Sequence, residues 1–100
     1  MTETYSAELY RQEGDDFRVV SLKINADGSV RLDAQDMGKV VEKIWGEDEY
    51  EFWVDVPSTE LQKLVFALIR EKYSDRSRAV DEFQAFCKKE GIKSKWGNWV

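Results

Sequence analysis

Asp33, Gln35 and Asp36 are the residues whose spacing first suggests chemistry. Two carboxylates three apart, with an amide between them, offer oxygen ligands to a hard cation such as Mg²⁺ or Ca²⁺. The run lacks the Asp/Asn ladder, central Gly and terminal Glu of an EF-hand loop. Helix capping by Asp36 and turn formation at Asp33 account for the same residues. Trp45 would stand near them as an apolar wall for a small ligand. Asp15-Asp16 is a second acidic pair, but it follows Gly14 in a turn composition. Carboxylates that hydrolyse a glycoside need a defined separation across a cleft, and a chain of 100 residues leaves little room for one. The sequence contains no histidine. Imidazole acid/base catalysis, Ser-His and Cys-His pairs and most zinc sites are thereby removed. Cys87 is the only thiol, so an internal disulfide is impossible; it shares a stripe with Val80 and Phe83 and is expected to be inert core. The chain is therefore expected to be no enzyme and to carry no cofactor.

Recognition is the better-supported chemistry. The stretch Glu47-Asp48-Glu49-Tyr50-Glu51 is the most unusual local feature, and Trp53 and Asp55 follow it at alternate positions. An exposed Trp among carboxylates would steer and anchor a basic protein partner, as an immunity or inhibitor protein does. The same face would equally serve a homodimer. Trp99, in the terminal Trp96-Gly97-Asn98-Trp99-Val100, is a further aromatic that either docks on the body or meets a partner. Glu47, Asp48, Glu49, Glu51, Trp53, Asp55 and Trp99 are thus the candidate contact residues. The competing reading is a solvated turn whose charges discourage edge pairing, with the aromatics packed inside.

Charge is distributed unevenly. Residues 33–56 hold eight acids and two bases, whereas residues 57–100 hold nine bases and six acids; the net charge is −5. The basic residues of the last third are interleaved with acids, which points to helix-surface pairs and solubility. Nucleic acid is not an expected partner, because phosphate contacts need net positive surface. No apolar run approaches the roughly 20 residues that span a bilayer, and the first residues have neither the basic nor the apolar region of a signal peptide. A reducing cytoplasm is the expected setting.

These residues must be positioned by a small set of elements. Thr4–Gln12 alternates, with Tyr5, Ala7 and Leu9 on one face and Ser6, Glu8 and Tyr10 on the other. Phe17–Ile24 is rich in β-branched residues. Asn25-Ala26-Asp27-Gly28 is the strongest hairpin signal, and Ser29–Leu32 returns. Residues 33–46 are read either as a loop or as a short helix over 39–45, capped by Asp36 and ended by Gly46, with Val40, Val41, Ile44 and Trp45 on one face. Tyr50–Val56 alternates as a strand, with Glu51, Trp53 and Asp55 on one side. Pro57-Ser58-Thr59 opens a helix through a Thr59–Gln62 capping box, with Leu61, Leu64, Val65, Leu68 and Ile69 as its apolar stripe. A second helix runs from about Ser77 to Glu90, with Val80, Phe83, Phe86 and Cys87 inward, and Gly91-Ile92 forms a Schellman stop. Lys93–Val100 is a tail or a short fifth strand. The expected fold is α+β, over one domain spanning 1–100. It consists of an antiparallel meander sheet of four strands, or five, with the two C-terminal helices on one face.

The run Leu32-Asp33-Ala34-Gln35-Asp36-Met37-Gly38, then Val41-Glu42-Lys43-Ile44-Trp45-Gly46, then Tyr50-Glu51-Phe52-Trp53, resembles a pattern in small uncharacterised bacterial proteins. It covers about residues 32–54, roughly a quarter of the chain. The resemblance implies a bacterial origin and carries no activity.

Overall fold

A computed structural model describes residues 3–46 and 49–99. The chain is α+β: a four-stranded antiparallel meander, a short helix inserted before the fourth strand, and two C-terminal helices. It divides into two compact units, Met1–Gln62 and Lys63–Val100.

The first unit holds strands β1 (Glu3–Gln12), β2 (Asp16–Asn25), β3 (Val30–Gly38) and β4 (Glu49–Val56), in spatial order β1-β2-β3-β4. The turn between β2 and β3 forms where the sequence places it. Gly28 donates to the Asn25 carbonyl at 2.9 Å and Asn25 donates to the Ser29 carbonyl at 2.9 Å. Asp27 accepts from both the Ser29 amide and its hydroxyl. Gly28 sits at φ 86°, the left-handed position that closes a three-residue hairpin loop.

The register sorts the side chains onto two faces. One face carries Ala7 opposite Leu22, Leu22 opposite Leu32 and Leu32 opposite Val54. Val20, Ala34 and Phe52 line up beside them. Val30 and Ala34 are buried there. The other face carries Lys23, Arg31 and Asp55 in one row, and Ser21, Asp33 and Trp53 in the next.

Three expectations change on this sheet. Tyr10 does not oppose Tyr5 and Ala7. The β1–β2 register shifts between Glu8 and Tyr10, so Leu9 is an extra residue and Tyr10 comes back to the face of Tyr5. Second, β3 does not stop at Leu32 but runs to Gly38, so Asp33, Gln35 and Asp36 are strand residues rather than a turn. Third, Asp36 does not cap the helix that follows. Helix α1 (Lys39–Trp45) has Gly38 at its N-cap, with no side-chain cap hydrogen bond. Gly46 ends α1 in the left-handed conformation, donating to the Glu42 carbonyl at 2.8 Å. Only part of the expected inner face of α1 is formed: Val41 is buried, while Ile44 and Trp45 are exposed. Trp45 stacks on Tyr50, with ring centroids 5.0 Å apart, and Tyr50 stacks on Phe52 at 5.4 Å.

A 3-10 turn over Ser58–Glu60 follows Pro57 and leads into α2 (Leu61–Tyr73). The Thr59–Gln62 capping box is not made; Glu60 donates to the Pro57 carbonyl instead.

In the second unit, α2 is followed by α3 (Ala79–Lys89), starting two residues later than the sequence suggests. Tyr73 meets Phe83 edge to face at 5.7 Å. Val65, Leu68, Ile69, Phe83, Phe86 and Cys87 line an apolar groove of about 410 Å³. Cys87 is 3% exposed, as expected of a core thiol, whereas Val80 is 70% exposed and does not face inward. The stop after α3 is the expected Schellman motif. Ile92 donates to the Cys87 carbonyl at 2.8 Å and Gly91 to the Lys88 carbonyl at 3.3 Å, with Gly91 at φ 68°. Residues 93–99 form no strand.

Candidate functional site

The charged face of the sheet collects most of the candidate residues. Glu49, Glu51, Trp53 and Asp55 occupy alternate positions of β4, so the two-residue period of a strand puts all four on one side. β4 is also an edge of the sheet: among the described residues no strand pairs with its outer side. Glu47 and Asp48 lie outside the described residues. Trp99 belongs to the second unit, in the tail after Gly91, and is 98% exposed.

Trp53 is the centre of the arrangement. Its ring is half exposed, at 50%. Along the strand it lies between Glu51 and Asp55, and across the ladder it opposes Asp33. Arg31 reaches over the ring with its guanidinium carbon 4.7 Å from the centroid, within the range of a cation–π contact. The same guanidinium grips Asp55 with two hydrogen bonds, 2.6 Å from Nε and 2.9 Å from Nη2. One arginine therefore orients both the ring and the neighbouring carboxylate. Gln35 opposes Glu51 and donates its side-chain amide diagonally to Glu49 through a single hydrogen bond.

Three carboxylates and one guanidinium surround the ring, so the surface is acidic but organised. Sequence reasoning missed Arg31. Its only sequence signal is parity: with β3 and β4 antiparallel, a residue 24 positions before Asp55 stands opposite it, and that pairing depends on the length of α1 and its flanking turns.

The arginine pair pulls the Asp55 carboxyl below its ordinary value of 3.8, first through the hydrogen bond from Arg31, with the Trp53 indole N–H adding to it. A carboxylate depressed in the fold stabilises the protein above its unfolded value, and that contribution disappears as pH falls through the folded value. Asp55→Asn is therefore expected to lower the melting temperature slightly at pH 7, with the gap to wild type closing below about pH 4. The pair is exposed, so added salt should shrink the difference. A gap that persists unchanged at pH 2.5 would contradict the assignment.

The Asp33/Gln35/Asp36 set is not brought together. Residues 33 and 36 are three apart on a strand, so their side chains leave opposite faces. Asp33 pairs with Lys23 at 3.3 Å on the charged face. Asp36 is held on the other face by Arg18, with contacts of 2.5 and 2.6 Å, and Arg18 in turn lies 5.7 Å from the Phe52 ring. Among the described residues, no group of three His, Cys, Asp or Glu side chains is placed to hold a metal ion. A hollow of about 490 Å³ beside the site is lined by Lys23, Asn25, Ser29, Arg31 and Asp55 together with the apolar Val56 and Pro57. Both of its cations already face carboxylates, so it offers no open charge to an anion.

No helix among the described residues is long and apolar enough to cross a membrane. In comparisons with known proteins, no family model, no curated protein and no solved structure matches the chain.

Proposed function

We propose that this chain is a non-enzymatic interaction module whose contact surface is the charged face of β4. Its partner would be a basic protein, with Trp53 as the anchor, Glu49 and Glu51 supplying attraction, and the Arg31-bound Asp55 at the edge of the contact. The observation that carries this reading is Trp53, half exposed on an edge strand and fixed by Arg31 among carboxylates. A large aromatic normally contributes more by burial in its own fold. Holding one in place at the surface costs that burial, and Trp fixed in this way is among the residue types most enriched at binding hot spots. The surrounding acids would accelerate encounter with a basic surface and make it salt-sensitive. A single buried thiol suits a reducing compartment, and the cytoplasm is the setting proposed.

The test compares wild-type protein with Trp53→Ala and with Glu49→Lys/Glu51→Lys as baits. A partner retained by wild type should bind Trp53→Ala roughly 30-fold more weakly, the loss of a strong hot spot. It should be lost from the charge-reversed bait, and its association rate should fall as salt rises. Equal binding to all three proteins would refute the proposal.

A further inference from the structure

Resting on the reading of β4 as the contact surface, we infer that its ligand is an extended basic segment that joins β4 as a fifth strand, with basic and apolar residues alternating along it.

The edge of β4 supplies the backbone half of this recognition. An edge strand turns every second N–H and C=O away from its own sheet, and an added strand satisfies them. The side chains supply the other half. On one face β4 shows Glu49, Glu51 and Asp55 around Trp53; on the other it shows Phe52 and Val54, the latter 65% exposed. A neighbouring strand places its own side chains about 5 Å from these, with a repeat of about 7 Å along each face. Cations at alternate positions would meet Glu49, Glu51 and the face of Trp53, Asp55 being already held by Arg31, and apolar residues between them would cover Phe52 and Val54. A helix or a folded basic surface matches this two-residue period on one face at most.

The charge pattern also selects against a second copy. Pairing β4 antiparallel with another β4 sets Glu49 opposite Asp55 in one register and Glu51 opposite Asp55 in the other, and like charges directly opposite are destabilising. The other edge, β1, presents Ser6, Glu8 and Arg11 on the corresponding face and lacks the acidic row.

The probe is a synthetic eight-residue peptide of alternating Lys and Val, titrated into the full chain at low salt while the Trp signal is followed. Two further versions carry backbone N-methyl groups, one on every Lys and one on every Val. All inward-facing amides of a strand share one side-chain parity, so methylation of one set should weaken binding about 30-fold or more, while methylation of the other set should leave it nearly unchanged. Glu49→Lys/Glu51→Lys should abolish binding of the unmodified peptide. If both methylated peptides bind alike while charge reversal still abolishes binding, strand addition is refuted and the acidic-aromatic surface stands. If the unmodified peptide fails to bind, or binds the charge-reversed protein equally well, the acids serve only to keep the edge from pairing, and the proposed surface falls with the inference.

Discussion

Gly38→Ala is expected to lower the melting temperature of the first unit by roughly 10–20 °C, the largest loss from any glycine-to-alanine substitution in the chain. Gly38 joins β3 to α1 at φ 126° and ψ −168°, a region essentially closed to residues with a β-carbon. Occupying it costs about 1–3 kcal/mol for any other residue. A second penalty adds to this. The position of a β-carbon on residue 38 falls against the Asp15 carbonyl oxygen, 2.8 Å from Asp16 Oδ1 and 2.9 Å from Asp16 Cα. Two of these three atoms are backbone and cannot swing aside, so the β2–β3 ladder must open at its Asp16–Gly38 end. Together the two terms come to about 3 kcal/mol. Gly46→Ala is the control. Gly46 also has positive φ, at 79°, but a β-carbon there meets nothing within 4 Å, so only the left-handed penalty of about 1 kcal/mol remains. Thermal and urea melts followed by circular dichroism separate the two. Equal losses would show that the close approach of β2 has no energetic weight.

The second large effect concerns the other unit. Cys87→Asp is expected to destabilise the two-helix unit by about 3 kcal/mol at pH 7, seen as lost helical ellipticity at 222 nm. Cys87 is the only buried residue of the two C-terminal helices, and it lines the apolar groove with Phe83, Phe86 and Ile92. A carboxylate introduced there loses hydration, and the Lys72 ammonium, which also lines the groove 5.0 Å from the Phe86 ring, offsets only part of that loss. The carboxylate relieves the penalty by taking up a proton, so its pKa should rise and the loss should diminish toward pH 4. Cys87→Ala removes only the sulfur and should cost about 1 kcal/mol. In the wild type, a thiol reagent should label Cys87 only as fast as the unit opens, because the thiol is covered in the closed form. Instant labelling without denaturant would show that the groove does not protect it.

Much of the architecture is legible in the sequence because periodicity reports burial. The alternation of Tyr50–Val56 gives β4 and correctly separates Trp53 from Phe52. The Asn25–Gly28 turn and the Gly91-Ile92 stop depend on local conformational limits that a few residues express by themselves. What escapes is whatever depends on a partner distant in sequence. Asp33 and Asp36 carry turn propensity, yet they lie inside a strand because β2 and β4 pair with that stretch on both sides, with Lys23 and Arg18 meeting the two carboxylates. The extra residue at Leu9 leaves no mark in the apolar pattern, since Leu9 and Tyr10 are each acceptable on the apolar face; only the β2 register exposes it. The candidate site divides along the same line. Glu49, Glu51, Trp53 and Asp55 are read from period alone, whereas Arg31, which orients two of them, is visible only once β3 and β4 are paired.

The strand order β1-β2-β3-β4 has a kinetic consequence. Every ladder joins neighbours in the sequence, so the sheet can grow hairpin by hairpin without closing a long loop. The tight β2–β3 turn is the natural starting point, because it costs the least entropy to close. β4 follows the longer excursion through α1 and is expected to join last. For that interval β3 is itself an open edge, and the ion pairs Lys23–Asp33 and Arg18–Asp36, one on each face, keep charged side chains along it, which disfavours pairing with another nascent chain.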